Sequence, residues 1–124
     1  MHLSIGFMVR NPQMTVEEFR RYWDEVHAPL ILKLLTPHGI RRYRAKFPVP
    51  SAARYASQTH YDAIVEMGFD SEEALDRALA SADFQCDERR ESSARCFDHA
   101  RGADMVAMES DAMAAEQDVA TIRL

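Results

Sequence analysis

The chain has 124 residues, a length that suits one domain, and 47% of them are apolar, which excludes a disordered chain. Its net charge of −5 argues against a duplex nucleic-acid surface, which needs clustered lysine and arginine. The basic pairs Arg41 with Arg42 and Arg89 with Arg90 lie among acidic or apolar residues, so we interpret them as solvated faces.

The two cysteines, Cys86 and Cys96, indicate no disulfide. On one helix they would lie roughly 15 Å apart, too far for a bridge, so we expect reduced thiols. No spacing typical of a metal site occurs, and we expect neither metal nor cofactor. The sequence shows no secretory leader and no apolar stretch of the roughly 18 residues that a membrane span requires. We therefore expect a cytoplasmic protein with no membrane partner.

The first third of the chain predicts a strand and a long helix. Residues 2–10 alternate between two faces, the period of a strand, and one face carries Leu3, Ile5, Phe7 and Val9. Thr15 is a good N-cap, and Glu18 three residues later completes a capping box. The apolar face of this helix then follows Val16, Phe19, Trp23, Val26 and Leu30. We expect Pro29 to kink the helix, because proline cannot donate to the preceding turn.

The remaining elements alternate in the same way. Residues 40–47 predict a second strand, and one of its faces carries Tyr43, Ala45 and Phe47. Residues 60–69 predict a third strand, and one of its faces carries Tyr61, Ala63, Val65, Met67 and Phe69. Ser71 predicts the start of a second helix, and Ser81 the start of another that reaches about residue 99. A short strand over residues 104–109 ends the predicted domain, residues 1–110, and leaves residues 111–124 as a C-terminal tail.

The element order β-α-β-β-α-β predicts an α+β fold of the ferredoxin-like type. Helices cover one face of its sheet, and the other face still carries apolar side chains that a single sheet cannot leave in water. Pairing two such sheets around a shared interior solves this problem. We therefore expect a homodimer, a dimeric α+β barrel.

The segment of residues 13–43 resembles the EthD family. The features that carry the resemblance are, in order, Phe19, Tyr22 with Trp23, His27 followed by Pro29 and Leu30, and Tyr43. The stretch YDAIVEMGFDSEEAL, residues 61–75, resembles the family's third strand and second helix. The resemblance covers about residues 2–110 and leaves the tail outside.

The resemblance implies a dimeric α+β barrel with a pocket in each subunit. Relatives include cofactor-free isomerases of methylmuconolactones and polyketide dehydratases and decarboxylases, and others accompany the oxidation of ethers. In the isomerase branch, a first-helix histidine, a second-strand tyrosine and a histidine near the third strand line the pocket. His27, Tyr43 and His60 match them, so the resemblance implies that these three are catalytic. That branch also has a third-strand cysteine, and this chain departs from it with Met67.

These residue types suit proton transfer. An imidazole gives and takes protons near neutral pH, and a phenol holds a developing enolate oxygen. We expect an apolar substrate site walled by Trp23, Tyr61, Met67 and Phe69. Structural alternatives remain for each residue: His27 could stabilise the kinked turn, Tyr43 and the apolar residues could be plain core, and His60 could be a solvated strand end.

We therefore predict a cofactor-free enzyme, an isomerase or a lyase such as a dehydratase or cyclase. Its partner would be a small cyclic, phenolic or polyketide-like substrate, on which it performs acid/base chemistry. The alternatives are a non-catalytic small-molecule-binding or accessory protein and a cofactor-free monooxygenase. The lone first-helix histidine also leaves a haem protein open.

Overall fold

The computed structural model describes residues 1–54 and 59–110, and it contains one antiparallel sheet with helices on one face. The strands are β1 (His2–Met8), β2 (Arg42–Lys46), β3 (Ala63–Phe69) and β4 (Ala103–Met108). The helices are α1 (Val16–Tyr22), α2 (Ala28–Leu35), α3 (Glu72–Ala80) and α4 (Asp87–Cys96). The sheet order is β2-β3-β1-β4, and every neighbouring pair is antiparallel. The predicted ferredoxin-like α+β fold is confirmed. The predicted tail, residues 111–124, lies outside the described residues.

The first helix begins as its sequence predicts. The Glu18 amide donates to Thr15 Oγ1 at 3.1 Å, and the Thr15 amide donates to Glu18 Oε1 at 3.0 Å, which is a complete capping box. The predicted irregularity near Pro29 takes the form of a π turn, Trp23–His27, in which the Ala28 amide donates to the Trp23 carbonyl. This wider turn places the rings of Trp23 and His27 5.5 Å apart, centroid to centroid.

The third strand begins later than predicted, at residue 63 rather than residue 60. The Asp62 carboxylate accepts a hydrogen bond from the Arg10 amide at 2.8 Å and pairs with the Arg10 guanidinium at 3.5 Å. These contacts bend the chain out of its alternating register. The Tyr61 ring consequently lies 5.5 Å from the ring of Phe7, on the sheet face opposite the helices. The prediction that Tyr61 shares a face with the rest of β3 is wrong for this reason.

Two helices follow β3, as predicted, but the second has other bounds. Ser71 caps α3, because its hydroxyl accepts from the Ala74 amide at 3.1 Å. Ser81 caps only a short turn, through the Phe84 amide at 3.2 Å, and α4 begins at Asp87. The helix ends at Cys96 rather than near residue 99, because the chain there joins the end of β1: Arg10 and Phe97 form an isolated β-bridge. Both cysteines are free, as expected.

Two apolar clusters fill the space between the helices and the sheet. The first joins α1, the π turn and α4 to β3, and its buried members are Phe19, Trp23, Ala63, Val65, Cys96 and Phe97. The second joins α2 and α3 to the far end of β3, and its buried members are Ile31, Leu35, Phe69, Leu75, Ala78 and Phe84. Tyr43 packs against both clusters, and Ala45 and Phe47 pack against the first. The predicted inner face of β2 is therefore confirmed.

The sheet face away from the helices divides into a charged half and an apolar half. On the β2 side, Arg42 pairs with Glu66 at 3.6 Å and with Glu109 at 2.5 Å. On the β1–β4 side, Ile5 stands opposite Met105, and Met105 keeps 46% of its surface exposed. No helix in the described part of the chain has the length and apolar character to cross a membrane. The cytoplasmic location stays a prediction.

Candidate active site

A cavity of about 200 Å³ opens between the two apolar clusters. Its walls come from all four strands of the sheet, the π turn, α2, α4 and the segments that flank α4, so distant parts of the chain define it. The residues that line it are Ser4, Gly6, Met8, Trp23, His27, Ile31, Tyr43, Val65, Met67, Phe84, Arg89, Ser93, Phe97, His99 and Asp104. Most of the wall is apolar, and a few polar groups converge on it, which is typical of a small-molecule site.

His27 is the buried titratable group of this cavity, with only 3% of its surface exposed. The π turn carries it inward, where its ring stands edge-on to Phe97 with centroids 5.1 Å apart. Burial, with smaller contributions from the neighbouring Arg89 and His99, lowers the pKa of His27 from 6.5 to about 4. The imidazole is therefore neutral at neutral pH, so it is available as a base.

A short hydrogen-bonded chain fixes the His27 ring. Its Nδ1 lies 2.9 Å from Ser92 Oγ on α4, which in turn lies 3.1 Å from the Tyr22 hydroxyl. If Nδ1–H donates to Ser92 and Ser92 donates to Tyr22, Nε2 carries a lone pair and acts as a base. If the bonds run in the opposite direction, Nε2 carries the proton and donates a hydrogen bond to a ligand. Among the described residues no hydrogen bond reaches Nε2, so it is the nitrogen left for a ligand.

Tyr43 and His27 both pack against the Trp23 ring. The Trp23 centroid lies 5.4 Å from that of Tyr43 and 5.5 Å from that of His27. Burial raises the pKa of the Tyr43 hydroxyl far above its ordinary range, and nearby Cys96 adds to the rise. The phenol therefore stays protonated and serves as a hydrogen-bond donor. No described residue accepts a hydrogen bond from it, so this donor is free for a ligand.

The structure brings together four of the seven predicted site residues. His27, Tyr43, Trp23 and Met67 all line the cavity. Phe69 is fully buried in the second apolar cluster and supports the wall from behind.

His60 and Tyr61 lie elsewhere. His60 is exposed and its ring stacks on that of Tyr61 with centroids 4.1 Å apart. Tyr61 lines a second, more apolar cavity of about 460 Å³ at the end of β2 and the start of β3, together with Phe7, Lys46, Phe47, Pro48, Thr59, Ala63 and Ile64. Although this cavity is larger, the described residues of its wall include no histidine, and Lys46 is engaged by Glu66. The His27 cavity is therefore the better candidate for proton transfer.

Several residues of the site were not predicted from the sequence. Ser92, Ser93, Arg89 and Phe97 all come from α4 or its end, and α4 has no apolar periodicity to mark an inner face. The one hint is a pair of serines inside an otherwise charged helix. Both Ser92 and Ser93 are buried, at 5% and 6% exposure.

The cysteine in this region is not reactive. Cys96 is fully buried, and burial raises the pKa of its thiol to about 12. Among residues 1–54 and 59–110, no three histidine, cysteine or acidic side chains come together as ligands for a metal ion.

A sequence model of the EthD domain matches residues 11–91, about two thirds of the chain. The chain belongs to the EthD family. A comparison with curated proteins finds no match. The family assignment confirms the resemblance carried by the helix with His27 and the strand with Tyr43.

Solved structures agree with this fold. An EthD family protein from Bacillus halodurans matches with a TM-score of 0.65 at 19% identity, over 89% of this chain and 100% of that chain. A dimeric ferredoxin-like protein from Thermobifida fusca matches with a TM-score of 0.54 at 15% identity, over 86% of this chain and 88% of the other. A proposed antibiotic biosynthesis monooxygenase from Nitrosomonas europaea matches with a TM-score of 0.54 at 9% identity, over 88% and 98%. At these identities the likeness concerns the fold alone.

Proposed function

We propose that this EthD-family protein is a cofactor-free isomerase or lyase that moves protons on a small cyclic, phenolic or polyketide-like substrate. The observation that carries the proposal is the presence of His27 and Tyr43 in one largely apolar cavity, where both pack against Trp23. A neutral imidazole removes a proton from carbon, and a protonated phenol holds the oxygen on which negative charge develops. The apolar wall strengthens both interactions because it excludes water.

The hydrogen bond from His27 to Ser92 supports the proton transfer. When His27 Nε2 takes a proton from the substrate, the Nδ1–H to Ser92 bond stabilises the imidazolium that forms. The same proton returns from Nε2 to a different atom of the substrate, which is an isomerisation, or to a leaving hydroxyl, which is a dehydration. No net charge is left on the protein after either reaction.

Two other functions use the same cavity. A non-catalytic binding protein would need the apolar wall and not the proton-transfer groups. Two observations favour a cofactor-free monooxygenase. The single tryptophan of the chain lies in the cavity wall, and the Nitrosomonas europaea neighbour is named as a monooxygenase. The arrangement of His27, Ser92 and Tyr43 favours acid/base chemistry over both.

The test is proton transfer to carbon in D2O, followed by ¹H NMR. A panel of small lactones, cyclic ketones and phenolic ketones, beginning with the isomerisation of α-angelica lactone to β-angelica lactone, is incubated with the protein and with buffer alone. We expect at least one compound to isomerise or to lose a C–H signal faster with the protein. A compound that binds without any acceleration would support the binding protein, and consumption of O2 would support the monooxygenase.

Tyr43→Phe tests the oxyanion partner in the same assay. The change removes the hydroxyl and keeps the ring that packs on Trp23. We expect kcat to fall roughly 10- to 10³-fold, which corresponds to about 1.4–4 kcal/mol of transition-state stabilisation. The melting temperature should change little, because the ring still fills its place. Tyr22→Phe on the far side of Ser92 is the matched control and should cost less, since its hydroxyl does not touch the substrate. An unchanged kcat in Tyr43→Phe would remove Tyr43 from the mechanism.

We also propose a homodimer that pairs the β1–β4 half of the open sheet face. Ile5, Phe7, Ile64 and Met105 form this apolar surface, and the Thermobifida fusca neighbour is described as dimeric. Light scattering at micromolar concentration should give about twice the chain mass of 14.2 kDa. Met105→Lys should give a monomer, whereas Leu32→Lys on α2, whose side chain is similarly exposed, should stay dimeric. A monomeric wild-type protein would contradict the dimeric barrel.

A further inference from the structure

One cation on the cavity wall has no acidic partner. Arg89 on α4 is half-buried, and none of the described carboxylates forms an ion pair with it. The adjacent Arg90 differs, because it is exposed and pairs with Asp87 at 3.6 Å. A partly desolvated charge that lacks a counter-charge is unfavourable in the free protein. Its position in the cavity wall therefore calls for a functional reason.

The guanidinium is held in a fixed orientation. Its Nε donates to the Phe84 carbonyl at 2.9 Å, its Nη2 donates to Gln85 Oε1 at 3.0 Å, and its central carbon stands 4.5 Å above the Phe84 ring. These three contacts occupy the edge of the guanidinium formed by Nε and Nη2 and one of its two flat faces. At the end of the group, Nη1–H and the second N–H of Nη2 donate to no described partner. Two parallel N–H groups at that end match the two oxygens of a carboxylate.

The charges of the cavity are also placed asymmetrically. Arg89 lies on α4, where its charge acts on the His27 ring. Among the described residues of the wall, the carboxylate is that of Asp104, which lies on β4 and makes no ion pair with Arg89. An anion is thus attracted to the α4 side and repelled from the β4 side.

We propose that Arg89 binds a carboxylate of the substrate, which places the reacting carbon between His27 and Tyr43. This proposal rests on the proposed function, because it takes the ligand of the cavity to be the substrate. It narrows the substrate class to small apolar carboxylic acids. The apolar body of the acid would contact Trp23 and Met67, and its carboxylate would accept from the free end of the guanidinium. The same anion would offset the charge that Arg89 leaves uncompensated.

The test measures binding rather than turnover. The probes are cyclohexanecarboxylate and cyclohexanecarboxamide, which have the same body and differ in charge. Neither absorbs where tryptophan does, and the only tryptophan of the chain, Trp23, lies in the cavity wall, so its fluorescence reports occupancy. We expect wild-type protein to bind the carboxylate roughly 10- to 100-fold more tightly than the amide, the range for a charge-assisted pair.

Variants assign the preference to one side chain. Arg89→Gln should remove the preference and leave the affinity for the amide unchanged, and Arg89→Lys should restore part of it. Arg90→Gln is the matched control and should keep the full preference. Melting curves identify any variant that does not fold, and Arg89→Lys then stands in for Arg89→Gln.

Equal binding of the two probes by the wild type, no binding of the carboxylate, or a full preference in both Arg89 variants would overturn the proposal. The result is independent of catalysis, because His27→Ala should keep the carboxylate preference whether or not the protein moves protons. A failure of this test therefore leaves the acid/base function standing, and a failure of the acid/base test leaves this anion site standing.

Discussion

His27→Ala should lower kcat by roughly 10²- to 10⁴-fold, the usual contribution of a positioned general acid or base. The imidazole of His27 is the buried base of the cavity wall, and the thiol of nearby Cys96 is buried and protonated. Alanine leaves no titratable group at this position. The rate of the reaction found with the compound panel, measured at saturation, checks the prediction.

The control for this variant is His38→Ala. His38 bonds to Asp83 at 2.7 Å on the surface and does not line the cavity, so its loss should leave kcat unchanged. Comparable losses in the two variants would indicate a general effect on stability. A fully active and folded His27→Ala protein would reject the mechanism and favour a binding protein.

The buried, neutral state of His27 should make the protein less stable in acid. Above pH 6.5 the ring is neutral in both the folded and the unfolded chain. Between pH 6.5 and about 4 the unfolded chain binds a proton that the folded protein does not bind, so the free energy of unfolding falls as the pH falls. The full difference in pKa corresponds to about 3 kcal/mol. Urea unfolding at pH 7 and at pH 4 measures it.

Carboxylates also titrate in this range, so the informative quantity is a difference between two proteins. His27→Asn keeps a polar atom near the Nδ1 position, where it bonds to Ser92, and does not titrate. The variant should be less stable than the wild type at pH 7, because asparagine is smaller than the imidazole and leaves part of the site empty. Its stability should nevertheless fall less between pH 7 and pH 4. An identical fall in the two proteins would show that His27 is not held neutral by burial.

Local rules predicted much of the fold. The capping box of Thr15 and Glu18, the Ser71 cap and the inner face of Tyr43, Ala45 and Phe47 depend on residues within a few positions of one another, and the structure confirms them. The failures have long-range causes. The start of β3 was misplaced because Asp62 bonds to Arg10, which lies 52 positions earlier. Nothing in the local alternation shows that contact.

The site residues also divide into those that the sequence predicted and those that depend on long-range contacts. His27, Trp23 and Tyr43 were predicted through the family resemblance, and the cavity contains all three. Ser92 was not, because its bond to His27 spans 65 positions and its helix has no apolar face that would point it inward. Arg89 was interpreted as part of a solvated face, and it lines the cavity wall instead. A charged residue whose stem packs on an aromatic ring cannot be distinguished from a surface residue by sequence alone.

The most direct test of the central claim is a double-mutant cycle on the exchange or isomerisation rate with His27→Ala, Tyr43→Phe and the two changes combined. The claim is that His27 and Tyr43 act on one substrate in one cavity. Groups that act as a unit are non-additive, so the double variant should lose less transition-state stabilisation than the sum of the two single losses. Losses that add fully would mean that the two side chains act independently, and this result would contradict a shared site.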